Sequence, residues 1–334
     1  MKLSYQKLEL KFKRAARTSR GEMLIKNGYL LFAEANGIQG VGECSFIEGL
    51  SADPLDKYKN KLEELCHAPD PEKVDLSEFP SIKFGLEIAM RDLQNGGKKL
   101  LYPSTFTNGK KGIAINGLLW MGSKDFIMEQ LQEKLTAGFQ CIKMKIGGLD
   151  FQTECEILEH IRKNFSAEKL ELRLDANGAF SPSDAIEKLN VLSHFNIHSI
   201  EQPIAPKQWQ LMRELCDSNI IPVALDEELI GNSENKVELL ETIRPQYIIL
   251  KPSLLGGFGE CESWISAARE KQIGWWATSA LESNIGLNAI AQWVFEQHNP
   301  MPQGLGTGSL YENNIAMPLK IIGGELWYQN DQQL

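Results

Sequence analysis

Several features that would settle the class of this 334-residue chain at once are missing from it. Its six cysteines, Cys44, Cys66, Cys141, Cys155, Cys216 and Cys261, include no C-x-x-C pair. Neither a zinc knuckle nor a disulfide framework is indicated, and the reduced thiols of a cytoplasmic protein are expected. No apolar run approaches the length of a bilayer span, and the basic N-terminus lacks the apolar stretch of a secretory signal, so neither membrane insertion nor export is expected. Basic charge is in deficit: 35 Lys and Arg face 44 Asp and Glu, a net charge of −9. That balance leaves no electrostatic footprint for nucleic acid, and Lys11, Lys13, Arg14, Arg17 and Arg20 read as a strand with its loop. The glycines of Gly256-Gly-Phe-Gly259 and Gly304-Leu-Gly-Thr-Gly308 have neither a P-loop Lys-Ser/Thr tail nor a GxGxxG opening a helix. They read as tight turns, the second able to admit an anionic arm near backbone amides. None of His67, His160, His194, His198 and His298 ends an apolar run, which disfavours histidine general-base chemistry.

What is present is a rhythm. Between residues 143 and 279, polar residues close successive short apolar runs: Lys143-Met-Lys145, Arg173-Leu-Asp175-Ala-Asn177, Glu201-Gln-Pro, Asp226-Glu-Glu and Lys251-Pro, about 25–30 residues apart. Each interval accommodates a strand, a helix and two short loops, so the run reads as consecutive βα units of an α/β fold closing into a parallel barrel, with the polar residues at one mouth. The first barrel strand is expected at 112–119 and a helix at 123–137 with Ser123 as N-cap. A further helix should start at Ser181-Pro182, and a short last strand lies around 304–307. The first hundred residues differ. Strands at 3–12 and 23–34, a hairpin signal at Asn27-Gly28, a third strand after Gln39 and helices at 53–66 and 81–93 describe an α+β domain over 1–105. A Gly/Lys/Pro/Thr-rich loop at 95–111 links it to a barrel over 106–314, and the tail from about 315 to 334 is expected to return to the first domain.

Three carboxylates, Asp175, Glu201 and Asp226, end three consecutive strands among three lysines. Hard oxygen donors in register suit Mg2+, or Mn2+ in its place, and uncompensated charges would be costly in an apolar barrel. Lys143 and Lys145 are two apart and share the inward face, with Met144 turned to the helices. Mutual repulsion and partial burial are expected to push at least one of these amines toward neutrality, fit to act as a general base. Lys251 ends strand six, across the mouth. Arg173 shares the inward face as a supporting counter-ion, Asn177 supports the first ligand or its loop, and Glu227 or Glu228 competes with Asp226 or pairs with a lysine. A chain with these residues reads as an enzyme acting on a small-molecule carboxylate, with no nucleic-acid or membrane partner and its oligomeric state open.

These motifs resemble the enolase superfamily in its muconate-lactonising subgroup, over nearly the whole chain, since Gly42-Glu43 and residues 84–93 also look like that family's capping domain. The resemblance implies a TIM-like (β/α)7β barrel preceded by an α+β capping domain. Residues 115–122, 278–287 and 304–308 look most like the branch that forms 2-succinylbenzoate in menaquinone biosynthesis. What this implies is metal-dependent dehydration of 2-succinyl-6-hydroxy-2,4-cyclohexadiene-1-carboxylate through an enediolate. Lys145 would take the proton, and Asp175, Glu201 and Asp226 would hold the metal. Lys251 would act as a cation over the ring and Lys143 would orient the carboxylate. Ser279, Gly306, Trp120 and Arg20 are candidates for the substrate walls, and the loop around residues 18–20 for a cover over the site. N-Succinylamino-acid racemisation or dipeptide epimerisation would use the same lysines. The epimerases of the family carry an Asp-x-Asp where this chain has Gly304 to Gly308. A Schiff-base aldolase built on Lys251, or a catalytically silent barrel, would be of another class.

Overall fold

A computed structural model describes residues 1–18 and 21–329. The N-terminal layer is a three-stranded antiparallel sheet of β1 (Lys2–Thr18), β2 (Gly21–Ala35) and β3 (Ile38–Ser45), covered by α1 (Tyr58–His67) and α2 (Pro80–Gln94). The hairpin signal at Asn27-Gly28 lies inside β2, opposite Glu9 and Leu8. Gly28 serves close approach there, because a Cβ would stand 3.0 Å from the Cys44 carbonyl oxygen. The turn between β2 and β3 falls at Asn36-Gly37, whose φ values of 52° and 74° suit Asn-Gly. On α2, one face (Ile82, Leu86, Ala89, Leu93) joins Leu31, Tyr58, Leu62 and Leu65 in the core of this layer, and the other (Phe84, Ile88) enters the core of the larger layer. Backbone touches backbone at this contact: a Cβ on Gly42 would lie 1.9 Å from the Gly85 carbonyl oxygen.

The larger layer runs β4 (Ile113–Ala114), β5 (Gly117–Leu119), α3 (Lys124–Thr136), β6 (Cys141–Lys145), α4 (Phe151–Asn164), β7 (Glu171–Asp175), α5 (Ala185–Ser193), β8 (Ser199–Glu201), α6 (Trp209–Asp217), β9 (Val223–Leu225), α7 (Lys236–Ile243), β10 (Tyr247–Leu250), α8 (Pro252–Leu255), α9 (Phe258–Glu270), β11 (Gly274–Ala277) and α10 (Asn284–Glu296). Strands β5 to β11 form one parallel sheet in sequence order. Bridges from Gln303 to Ile115 and from Gly304 to Thr278 tie one segment to both edges of this sheet, so it curls into a barrel-like fold. The last strand expected at 304–307 exists only as these bridges. Outward residues such as Ile142, Met144, Leu172, Leu174, Ile200, Ile248 and Leu250 bury against the helices, each worth roughly 1.5–3 kcal/mol.

Three expectations shift. The strand at 112–119 divides, because Ile113–Ala114 pairs with the C-terminal hairpin β12 (Leu319–Ile322) and β13 (Glu325–Tyr328) while Gly117–Leu119 pairs with β6. That hairpin does not join the N-terminal sheet: its apolar side chains Leu326 and Tyr328 enter the barrel core, Tyr328 edge-on to Phe106. Contact with β1 comes just before it, where Tyr311 packs on Phe12 and Asn313 bonds the backbone of Lys11 and Glu9. Finally, Ser123 caps α3 as expected, accepting from the Phe126 amide. Ser181, in contrast, pairs with the Ser183 hydroxyl and closes a turn, and α5 starts only at Ala185. No helix among the described residues is long and apolar enough to cross a membrane.

Candidate active site

Strand alternation builds the site. On β6 the side chains of Lys143 and Lys145 point inward while Ile142 and Met144 pack outward. Parallel register sets Lys145 beside Asp175 and Asp175 beside Glu201; Asp226 and Lys251 follow β9 and β10 by one residue each. The Lys143 ammonium donates to Glu201 Oε2 at 2.7 Å and stands 3.0 Å from Asp175 Oδ2. That of Lys145 donates to Asp175 Oδ2 at 2.9 Å and to Asn177 Oδ1 at 2.6 Å. Lys251 pairs with Asp226. Three strands separate β6 from β10 in the curled sheet, so Lys251 faces the two β6 lysines across the mouth.

Of the two β6 lysines expected to include one with a depressed pKa, Lys143 is not that one, and Lys251 across the mouth is raised as well. Burial alone would lower both. Asp175 and Glu201 beside Lys143, and Asp226 and Glu201 beside Lys251, outweigh burial and hold both ammoniums above their usual range. The acids divide. Against burial, Lys143 and Lys145 hold Asp175 well below the carboxylate range. Glu201 is pushed up to about 8 by burial and by the Asp175 charge, and Glu227 is also raised, by burial and by Asp226. Four acids crowd around three lysines here, and their mutual repulsion adds to burial in raising Glu201 and Glu227.

Among the described residues, no three or more His, Cys, Asp or Glu side chains converge into a ligand shell. The expected ligands Asp175, Glu201 and Asp226 turn oxygens to ammonium groups instead, because those are the cations within reach. The donor set still fits a hard divalent cation. Three carboxylates, each 1–2% exposed, stand at neighbouring strand ends, and Glu201 Oε1 is buried with no hydrogen-bond partner. A divalent charge would relieve this crowding and let Glu201 ionise.

A cleft of about 970 Å3 opens over these groups. It is lined by Lys143, Lys145, Asp175 and Lys251, and also by Trp120, Ser279 and Gly306, three of the four residues expected at the substrate walls. Arg20 lies outside the described residues. Arg173 points away from the acids: it donates to Glu171 at 2.7 Å and to the Pro302 carbonyl at 2.9 Å, with its guanidinium over the Trp276 ring. Its charge is paired with Glu171 toward the base of the barrel, and its Nη2 is buried without a hydrogen-bond partner. Asn177 links Lys145 to Glu227, donating to Glu227 Oε1 at 2.9 Å. Glu228 takes no part, since its oxygens accept from Gln202, Lys207 and Trp209.

Sequence reasoning missed a buried polar junction beside the cleft. Glu43 of β3 accepts from the Ser283 amide at 2.8 Å, the Ser283 hydroxyl at 2.5 Å and the Gly286 amide at 3.0 Å, so an acid of the N-terminal layer caps the start of α10. Glu282 accepts from Ser253, Ser279 and the Ala280 amide, and Thr307 donates on to Ser279 at 2.9 Å. Lys26 of β2, 3% exposed, donates to Ser45 and lines the cleft. Glu43 and Glu282 sit in segments whose resemblance was noted, but nothing in the sequence around Lys26 marks it.

A model of the family described as enolase C-terminal domain-like matches residues 127–330. The chain is 46% identical to an o-succinylbenzoate synthase of Desulfotalea psychrophila over 98% of both chains. A crystal structure of MenC from the same species agrees with a TM-score of 0.89 at 44% identity, covering 98% and 99% of the two chains. The o-succinylbenzoate synthase of Thermosynechococcus elongatus, complexed with Mg in the active site, gives 0.78 at 24% identity over 91% and 92%. A dipeptide epimerase of Enterococcus faecalis, complexed with Mg and the dipeptide L-Leu-L-Tyr, gives 0.85 at 18% identity over 98% and 96%.

Proposed function

The chain belongs to the enolase C-terminal domain-like family of the enolase superfamily, and on that premise we propose that it dehydrates 2-succinyl-6-hydroxy-2,4-cyclohexadiene-1-carboxylate to 2-succinylbenzoate, a lyase step of menaquinone biosynthesis. The observation that carries this reading is the opposition of Lys145 and Lys251 across a mouth whose intervening strand ends carry Asp175, Glu201 and Asp226.

Those three acids would hold Mg2+, or Mn2+ in its place. When bound, the cation supplies Lewis-acid stabilisation of the negative charge that grows on the substrate carboxylate. As the free amine, Lys145 takes the proton α to that carboxylate and becomes an ammonium, with Asn177 fixing the direction of its nitrogen. The same lysine, now an ammonium, gives its proton to the departing hydroxide, so water leaves and no second acid is required. Lys251, held charged, faces the other side of the ring as a cation over its π system. Lys143 stays protonated and orients the carboxylate, and Trp120, Ser279 and Gly306 wall the site.

The same reading makes the curled sheet a (β/α)7β barrel over about residues 106–314 with a capping domain over 1–105. Six free cysteines accord with a cytoplasmic location. Racemisation of N-succinylamino acids is the second reading, favoured by amines on both sides of one cleft. Schiff-base chemistry at Lys251 is disfavoured because it needs a neutral amine and Asp226 keeps this one charged.

The purified protein with Mg2+, offered the cyclohexadiene, N-succinylamino acids and dipeptides in parallel, is expected to turn over the first to 2-succinylbenzoate and to stop when EDTA is added. Racemisation without any 2-succinylbenzoate would replace the reading with the second one.

A further inference from the structure

The dehydration leaves one buried cation of the cleft wall without a task. Lys26 projects from β2 and is 3% exposed, yet it lines the same cleft as Lys145 and Lys251. An ammonium has three donors. The one hydrogen-bond partner of Lys26 among the described residues is the Ser45 hydroxyl. Burying a cation with two unanswered N–H groups is costly unless something answers them. Glu43 and Glu282 attract it, but only at a distance: their oxygens already accept from Ser283 and Gly286, and from Ser253, Ser279 and Ala280. Burial accordingly lowers the Lys26 pKa despite those two charges. The ammonium is therefore held by Ser45 of its own layer and left short of partners in a cleft that the Thr307 and Ser279 hydroxyls also line.

Resting on the function proposed above, we propose that Lys26 binds the terminal carboxylate of the substrate's succinyl arm, so that the N-terminal layer selects dianionic over monoanionic substrates. The ring carboxylate goes to the acid-and-lysine end of the cleft. The arm carboxylate meets Lys26, its second charge completing an ion pair that the protein alone leaves open.

The test compares 2-succinylbenzoate with 2-butyrylbenzoate, which has a methyl where the arm carboxylate stands. Both are titrated by calorimetry into the Mg2+-loaded wild type and into Lys26→Met and Lys26→Arg, with thermal melts confirming that each is folded. The wild type is expected to prefer the succinyl compound by about 10- to 100-fold, the range of a charge-assisted hydrogen bond. Lys26→Met should lose the preference, Lys26→Arg should keep part of it, and in turnover the loss should appear in KM. A preference that survives in Lys26→Met overturns the proposal. If that variant does not fold, a Lys26→Arg variant that folds and shows no preference overturns it equally. Wild-type dehydration measured alongside separates the two readings: intact dehydration with an unchanged preference removes the role of Lys26 alone, whereas no dehydration removes both.

Discussion

Replacing Glu43 by alanine tests how the N-terminal layer is fastened to the barrel. The carboxylate is fully buried and accepts from the Ser283 amide, the Ser283 hydroxyl and the Gly286 amide, groups about 240 residues away in the chain. Truncation strands two amides and a hydroxyl in a dry junction at roughly 1–3 kcal/mol each, and takes from Lys26 one of its two distant counter-charges. Part of this is returned because a buried carboxylate, its pKa raised by burial, no longer has to be kept dry. The net loss for Glu43→Ala is expected to be about 3–5 kcal/mol. Glu43→Gln keeps one acceptor oxygen and should lose only about 1–2 kcal/mol. Urea unfolding followed by tryptophan fluorescence reads both, and early separation of the N-terminal layer would appear as a second transition. If Glu43→Ala matches the wild type within about 0.5 kcal/mol, the scatter of a surface substitution, the junction does not hold the layers together.

Three further outcomes follow from the geometry. Glu201→Gln should weaken Mg2+ binding about tenfold or more in calorimetry, because it removes one of the three charged donors; unaltered affinity would exclude Glu201 as a ligand. Asp53 is raised by burial to about 6 in the folded chain from an ordinary value of 3.8. The folded state therefore holds the extra proton between those values, and stability falls as pH rises from about 4 to about 6. Asp53→Asn, which keeps an acceptor for the Ser81 amide, should remove up to about 3 kcal/mol of that fall, and parallel stability–pH curves for variant and wild type would contradict it. Gly42→Ala places a methyl 1.9 Å from the Gly85 carbonyl oxygen and should cost about 1–3 kcal/mol in urea unfolding, or more if α2 cannot shift; wild-type stability would show that this contact yields freely.

The barrel side of the site was legible because its signal repeats: a polar residue at the end of each short apolar run needs only the two-residue periodicity of a strand to be placed. Asp175, Glu201 and Lys251 stand where that periodicity puts them. Their charge states were not legible, since Lys143 and Lys251 are set by acids that arrive from neighbouring strands, and repulsion along one strand says nothing of those. The direction of Arg173 was missed for a similar reason: its partners Glu171 and the Pro302 carbonyl lie toward the base, and inward does not distinguish base from mouth. Asn27-Gly28 misled because a glycine required by close approach looks the same in sequence as one required by a turn. Lys26 and Glu43 owe their roles to contacts across the layers, which no local pattern records.

The account depends above all on Lys145 as the group that removes the proton. The direct measurement is dehydration of substrate carrying deuterium α to the carboxylate, followed by loss of the diene absorbance with Mg2+ present, for the wild type and for Lys145→Ala. The wild type is expected to turn the deuterated substrate over more slowly than the protonated one, and Lys145→Ala to lose about 10²–10⁴-fold in kcat while still binding product. Full activity in Lys145→Ala, with the same slowing by deuterium, would mean that another group takes the proton.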